Sequence, residues 1–218
     1  MTFRAFHCRR GFTLVELSIV LGFIAILIGG IWAYMGTARS KEKVAQAVQD
    51  IILTIDNVRA AYGGQAGIAG GMQSVMPYLV QARALPADTL SSVSSTCGSS
   101  TGSFAVGPWG NTAGDGCGSF RICNWNSGST TKCNVNDATS DLFFGIEFTQ
   151  LDYGPCAELA TGLSPAQTPG LTDIYINGNG AAASGKTIPL ALTVAQGWCK
   201  TAGSNTVDFI YRLRPTSY

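Results

Sequence analysis

Histidine is almost absent: the single one, His7, lies among the first eleven residues. Beyond it, Ser-His and Cys-His nucleophilic sites and histidine metal ligands are excluded together. Charge is sparse as well. Charged side chains are 12% of the 218 residues, about half the usual share. The formal net charge is +1, and no basic patch of the size that nucleic acid requires is visible. Low charge with 46% hydrophobic residues excludes intrinsic disorder, which needs the opposite balance. Paired Cys-x-x-Cys spacings are missing around Cys117, Cys123 and Cys133, so a zinc knuckle is not expected. Asn134, Asn136, Asp137 and Asp141 form a small oxygen-rich cluster without the EF-hand spacing, and read as a solvated loop. Gly178-Asn179-Gly180 reads as a turn and not a phosphate loop, since no helix of the right pattern opens from it. There is no internal repeat, and no proline between residues 12 and 62. Neither catalysis, a metal nor a cofactor is expected.

What charge there is lies unevenly. Residues 1–11 hold Arg4, Arg9 and Arg10 and no acid, while the remainder carries 11 basic and 13 acidic side chains. Between Glu16 and Arg39 there are 22 residues without a charge. As a helix they extend roughly 33 Å, near the ~30 Å hydrocarbon thickness of a bilayer. Trp32 and Tyr34 stand near the far end, where amphipathic aromatics favour the interface. The basic flank predicts that the N-terminus stays in the cytoplasm. An ordinary secretory signal puts its apolar region before the cleavage site. Here Gly11 comes first and the apolar run follows.

The apolar helix passes into an amphipathic one. Val44, Val48, Ile51, Ile52, Ile55, Val58 and Tyr62 fall at steps that make one stripe, and Gly63-Gly64 ends it. One helix over residues 12–62 is expected, on the order of 75 Å long. Its one dry face needs a domain to cover it. A short helix is predicted over residues 72–84 with Pro77 in or near its first turn. Candidate strands are Phe104–Val106, Phe120–Cys123, Leu142–Leu151, Ile174–Ile176 and Thr206–Leu213, with a turn at Asn177-Gly178. Glycine, at 27 residues, suits the loop-rich head these imply. The fold class is α+β: a long N-terminal helix on an antiparallel sheet. The expected organisation is a leader at 1–11, a helix at 12–62 whose part 12–38 spans the membrane, and a head at 63–218.

Of seven cysteines, Cys8 lies in the leader. Cys97, Cys117, Cys123, Cys133, Cys156 and Cys199 all follow the membrane segment. An even set in that position reads as three disulfides formed in an oxidising compartment, with buried thiols as the alternative. Fifteen connectivities are open. Two pairings are guessed among them: Cys123 with Cys133, whose intervening NWNSGSTTK suits a hairpin loop, and Cys97 with Cys117. Trp109, Trp125 and Trp198 lie in polar, loop-like surroundings, and Trp125 is the candidate for an exposed contact.

Glu16 is the informative residue. An acid near the end of an apolar span costs less than the ~2.5–3.5 kcal/mol it costs at the centre, yet still calls for a partner. No Lys or Arg follows it within the span. Cleavage after Gly11 would create one, the new α-amino group of Phe12. In a packed, low-dielectric core such a pair fixes register, because leaving either charge alone is expensive.

The run RRGFTLVELSIVLGFIAIL resembles the class III signal of type IV pilins and their relatives. The resemblance implies that a prepilin peptidase cuts between Gly11 and Phe12 and N-methylates Phe12. It implies that Glu16 docks each incoming subunit on the amine of its neighbour. The stretches DYGPCAELA, IYING and GWCKTAGSNTVDF resemble the C-terminal region of type IVb pilins, PilS-like ones included. Carried over, Cys156 bonds Cys199 and closes a loop of about 40 residues, for which chain entropy credits roughly 4 kcal/mol. The leader is shorter than many in that class, and four extra cysteines precede the usual pair. The mid-helix proline of many type IVa pilins is missing, and Gly29-Gly30 is the weak point where unwinding within a filament is expected.

The function so implied is structural. The chain would be a major pilus subunit, anchored in the inner membrane and then polymerised into an extracellular fimbrium for adhesion, aggregation, motility or conjugation. Implied partners are further copies of the chain, the peptidase, an assembly ATPase, a platform protein and an outer-membrane channel. Rival readings are a minor pilin that binds a receptor at the tip, a pseudopilin of type II secretion, and a membrane-anchored binding protein that never polymerises.

Overall fold

In the computed structural model the described residues are 13–65, 67–69, 72–97, 100–110, 117–125, 140–201 and 204–214. They fall into two units, residues up to 40 and residues from 41 onward. Helix α1 (Leu14–Tyr62) supplies most of the first unit and opens the second.

In the first unit the segment Leu14–Trp32 is long and apolar enough to cross a membrane, and none of it is buried within the chain. Its N-terminus is closed by Thr13 and Glu16. The Thr13 hydroxyl accepts the Glu16 N–H at 3.2 Å, and Glu16 Oε2 accepts the Thr13 N–H at 3.1 Å. This reciprocal pair is a capping box, which satisfies donors that the helix itself leaves orphaned.

The second unit is built on the amphipathic half of α1. Ala47, Ile51, Ile55, Val58 and Tyr62 are buried, and Val44 and Val48 pack against the same core. Burial of each large member contributes about 1.5–3 kcal/mol. Ile52 was expected in this stripe but is 37% exposed. One residue beyond Ile51 is a rotation of about 100°, which carries Ile52 off the dry face.

The remaining elements follow in order: β1 (Ile68–Ala69), α2 (Met72–Gln81), a short 3-10 turn (Ala87–Thr89), β2 (Leu90–Cys97) and β3 (Ser100–Ala105). Then come β4 (Phe120–Trp125), β5 (Ser140–Asp141), β6 (Phe143–Leu151), α3 (Tyr153–Gly162), β7 (Leu171–Ile176), β8 (Asn179–Gly180), α4 (Leu192–Trp198) and β9 (Asn205–Arg212). The main sheet has the order β4-β6-β9-β7-β8, antiparallel throughout. Two small ribbons, β1 with β5 and β2 with β3, stand beside it.

The register sorts the sheet into two faces, because residues directly opposite share a face. One face carries Ile122, Ile146, Phe209 and Ile174 in one row and Phe120, Phe148, Val207 and Ile176 in the next. These join α1 in the hydrophobic core. The other carries Arg121, Glu147, Asp208 and Tyr175 in one row. The free edge of β4 is covered by α2, where Met76 Sδ accepts the Ile122 N–H at 3.2 Å. Covering an edge in this way removes a template for unwanted strand pairing.

The α+β expectation holds, and strands lie in all five stretches predicted. Other elements went unread. Helix α3 contains Gly154 and Pro155, which argue against a helix interior, yet Asp152 is its N-cap and both fall in the first turn. There an absent N–H costs nothing. Helix α4 has seven residues, too few to show a period. Pro77 was placed in or near the first turn of α2 but lies in the second, since the helix starts at Met72. The Asn177-Gly178 turn is present, with φ of 49° and 94°, and joins Ile176 to Asn179 as a two-residue hairpin.

Candidate assembly site

The residues singled out for assembly cluster at the start of the chain. Gly11 and Phe12 lie outside the described residues. Glu16 lies in the first turn of α1. The Thr13 hydroxyl also donates to Glu16 Oε2, at 3.0 Å. Where an opposite charge is expected for Glu16, the structure supplies these neutral donors. The signal was available, because Thr13-Leu14-Val15-Glu16 spells the capping-box spacing. Two hydrogen bonds hold the carboxylate in place, and no cation among the described residues pairs with it.

The C-terminal region is bounded by a covalent bond. Cys156 in α3 is joined to Cys199, just past α4, with Cα atoms 6.1 Å apart. Cys117 and Cys123 are also disulfide-bonded. The expected pairings Cys97–Cys117 and Cys123–Cys133 depend on side chains outside the described residues.

A polar knot that sequence reasoning missed sits beside Cys199. Asn205 is fully buried. Its amide donates to the carbonyls of Leu151 at 3.0 Å and Lys200 at 3.1 Å. Its oxygen accepts the Lys200 N–H at 2.6 Å and the Asn177 amide at 2.8 Å. Asn177 also donates to the Trp198 carbonyl at 2.9 Å and accepts the Thr206 N–H at 3.0 Å. Two asparagines thus tie the end of α4 to β7 and β9. A buried amide with every partner in place fixes one arrangement, because any other leaves groups unpaired.

Arginines fasten the C-terminal end of α1 to the end of β9. Arg59 donates to the carbonyls of Pro169 at 2.6 Å and Arg212 at 3.1 Å. Arg214 reaches the carbonyls of Gly63 at 3.4 Å and Gln65 at 2.8 Å. Burial pulls the Arg59 guanidinium below its ordinary value, with Asp56 and Tyr211 opposing. Burial lifts the Tyr62 hydroxyl to about 12, helped by Tyr78, whose ring lies 5.3 Å away.

Trp125 is not an exposed contact. It is the last residue of β4, is 5% exposed, and lies 4.9 Å from the ring of Tyr175. Gly145 makes this possible: a Cβ there would stand 3.3 Å from the indole and 3.2 Å from Cys123 Sγ. In the row beside it, Arg121 pairs with Glu147 at 3.0 Å and donates to the Gly118 carbonyl at 2.8 Å. Both partners are buried, so the pair is part of the packing. It offers no open charge to a ligand. Burial, with Asp173 and Asp208, lifts the Tyr175 hydroxyl.

The Gly178-Asn179-Gly180 turn leads into a loop whose amides are already used. The Ser184, Gly185 and Lys186 N–H groups donate to carbonyls of residues 180–182, and the Ala182 N–H donates to Asp173 Oδ1. A phosphate cradle needs such amides free at a helix N-terminus. Of the acidic cluster near residue 137, Asn134, Asn136 and Asp137 lie outside the described residues, and Asp141 pairs with Ile68 in the small ribbon.

No family model matches the chain, and no curated protein matches it. Among solved structures it is similar to the crystal structure of a type IV b pilin from Salmonella typhi. That likeness has a TM-score of 0.52 at 19% identity, and covers 77% of this chain and 99% of that one. The chain therefore has the type IV pilin fold.

Proposed function

We propose that this chain is a structural subunit of a type IVb-like pilus. It is held in the membrane by Leu14–Trp32 and polymerised through that helix into an extracellular filament. One observation carries the reading: an apolar helix with no residue buried in its own chain, opened by Glu16, on a chain with a pilin fold. A surface of that kind is costly in water. It is stable in lipid or against other copies of itself.

In this reading a prepilin peptidase cuts between Gly11 and Phe12 on the cytoplasmic side and methylates the Phe12 amine. The Phe12 ammonium of one subunit then approaches the Glu16 carboxylate of another, in apolar surroundings where an unpaired charge is expensive. Thr13 keeps that carboxylate in place beforehand. Assembly uses an ATPase, a platform protein and an outer-membrane channel, and the subunit moves from the inner membrane to the filament. The disulfide-closed region around Cys156 and Cys199 stays in the head.

Mass spectrometry of the non-reduced protein from a sheared surface fraction tests the processing steps. The expected chain starts at methylated Phe12 and lacks six hydrogens, one pair for each of three disulfides. An intact N-terminus in that fraction would sink the reading. Glu16→Ala tests polymerisation and should abolish filaments while the subunit still reaches the membrane. Normal filaments from that variant would exclude the docking role. Normal surface function without any filament would favour a membrane-anchored binding protein.

A further inference from the structure

Asp50 is the one carboxylate on α1 that the pilin reading does not use and the fold treats badly. It lies on the buried side of the helix and is 4% exposed. Its Oδ2 has no hydrogen-bond partner among the described residues. One turn earlier on the same face, Gln46 donates to Asp88 Oδ2 at 2.8 Å, holding the 3-10 turn of residues 87–89 against the helix. Residues four apart on a helix are neighbours, so this bond ties the exposed Asp88 to the helix one turn from Asp50. On top of burial, the Asp88 charge raises the Asp50 carboxyl further. On the other side, one turn later, Thr54 is neutral and fully buried, and its hydroxyl also lacks a partner. Nothing in the described seam compensates an ionised Asp50. Burial pushes its carboxyl up to about 6, and the Asp88 charge adds to the effect.

The turn is not a dead end. Thr89 donates its N–H to the Pro86 carbonyl at 3.1 Å, and its own carbonyl accepts the Val106 N–H at 2.6 Å. Strand β2 starts at the next residue, Leu90. These bonds join the turn to the base of the β2–β3 ribbon.

We propose that the seam between α1 and residues 86–89 is a proton-operated latch: a proton on Asp50 closes it, and loss of that proton lets the turn lift from the helix. The proton comes from water. It converts a buried anion facing a second anion into a neutral acid facing one anion. Gln46 alone then holds Asp88 without an opposing force. The latch does not depend on whether the chain polymerises.

Hydrogen exchange on the full chain in detergent micelles tests this, with rates corrected for the intrinsic pH dependence of exchange. Between pH 5 and pH 7.5 the protection of the Thr89 and Val106 amides should fall about tenfold, as a shift of this size in one carboxyl predicts. Amides at Ile146 and Phe209, in the middle of the main sheet, should keep theirs. Asp50→Asn should hold the Thr89 and Val106 amides at their acid level at both pH values. Asp88→Asn, which removes the repulsion and leaves the burial, should shrink the change without abolishing it. Equal protection at the two pH values in the unmodified chain would overturn the latch. So would an unchanged pH dependence in Asp50→Asn, or an equal loss across β6 and β9.

Discussion

Between Leu14 and Trp32 none of α1 is buried by its own chain, whereas Ala47, Ile51, Ile55, Val58 and Tyr62 further along all are. Both halves are helix, and both are rich in the same branched apolar residues. They differ in arrangement. The first half is apolar on every side, so no single packed face satisfies it and its cover must come from lipid or from other copies. The second half keeps its apolar residues to one stripe, and the sheet of the same chain covers it. Hydrophobic content alone does not say where a helix belongs. Its distribution around the axis does.

The comparison breaks most readily where the head is stapled. Reducing the Cys156–Cys199 bond, or replacing both residues by Ser, should lower head stability by about 4 kcal/mol for a separation of 43 residues. Denaturant unfolding would measure it, and Leu14–Trp32 should still partition into membrane. Next comes Ile51→Ala, which empties a fully buried site and should cost about 2–5 kcal/mol. The matching change in the first half, Ile26→Ala, removes a side chain that is 74% exposed and should leave head unfolding unchanged. If Ile26→Ala destabilises the head as much as Ile51→Ala, the two halves are not separate environments.

A gain is expected at Asp50. Its folded-state carboxyl, near 6, lies above the unfolded value of 3.8, so folding favours the protonated form. The resulting penalty is absent below the unfolded value, grows as pH rises between the two, and is complete above 6. Asp50→Asn should therefore stabilise the head by about 1–3 kcal/mol at pH 7.5, with the gain fading toward pH 4. Melting at several pH values reads this directly. A smaller gain is expected at Gly30, where an added Cβ meets nothing within 4 Å. Gly30→Ala should favour helix there by about 1 kcal/mol. In filaments, unwinding is expected at residues 28–31 of the unmodified chain and should be reduced in the variant. Continuous helical density there in an unmodified filament would remove the idea.

Much of this was legible before any coordinates. The charge-free run after Glu16, the stripe from Val44 to Tyr62 and the Gly63-Gly64 stop follow from local rules of period and capping, which act within one or two turns. Strand β6 and the Asn177-Gly178 hairpin follow from equally local signals. The elements missed were those whose signal is short or masked. Helix α4 spans two turns, and α3 hides a proline where its missing donor has no consequence. Trp125 shows the same limit at a site: polar neighbours in sequence suggested exposure, and Gly145 on the adjacent strand leaves room for its ring.

The sequence by itself determined the two-part helix, the antiparallel head and the likeness of residues 9–27 to a pilin signal. These rest on patterns that repeat along the chain and need no distant partner. Tertiary structure decided how the buried polar groups far from the chain's start are partnered. Glu16 finds Thr13 three residues away by a local rule, while Asp50 is buried within reach of the charge of Asp88 and Asn205 gathers Leu151, Lys200 and Asn177. The last two arrangements join residues far apart in the chain. Their energies depend on burial and on the partners the fold happens to bring, and neither is written in local pattern.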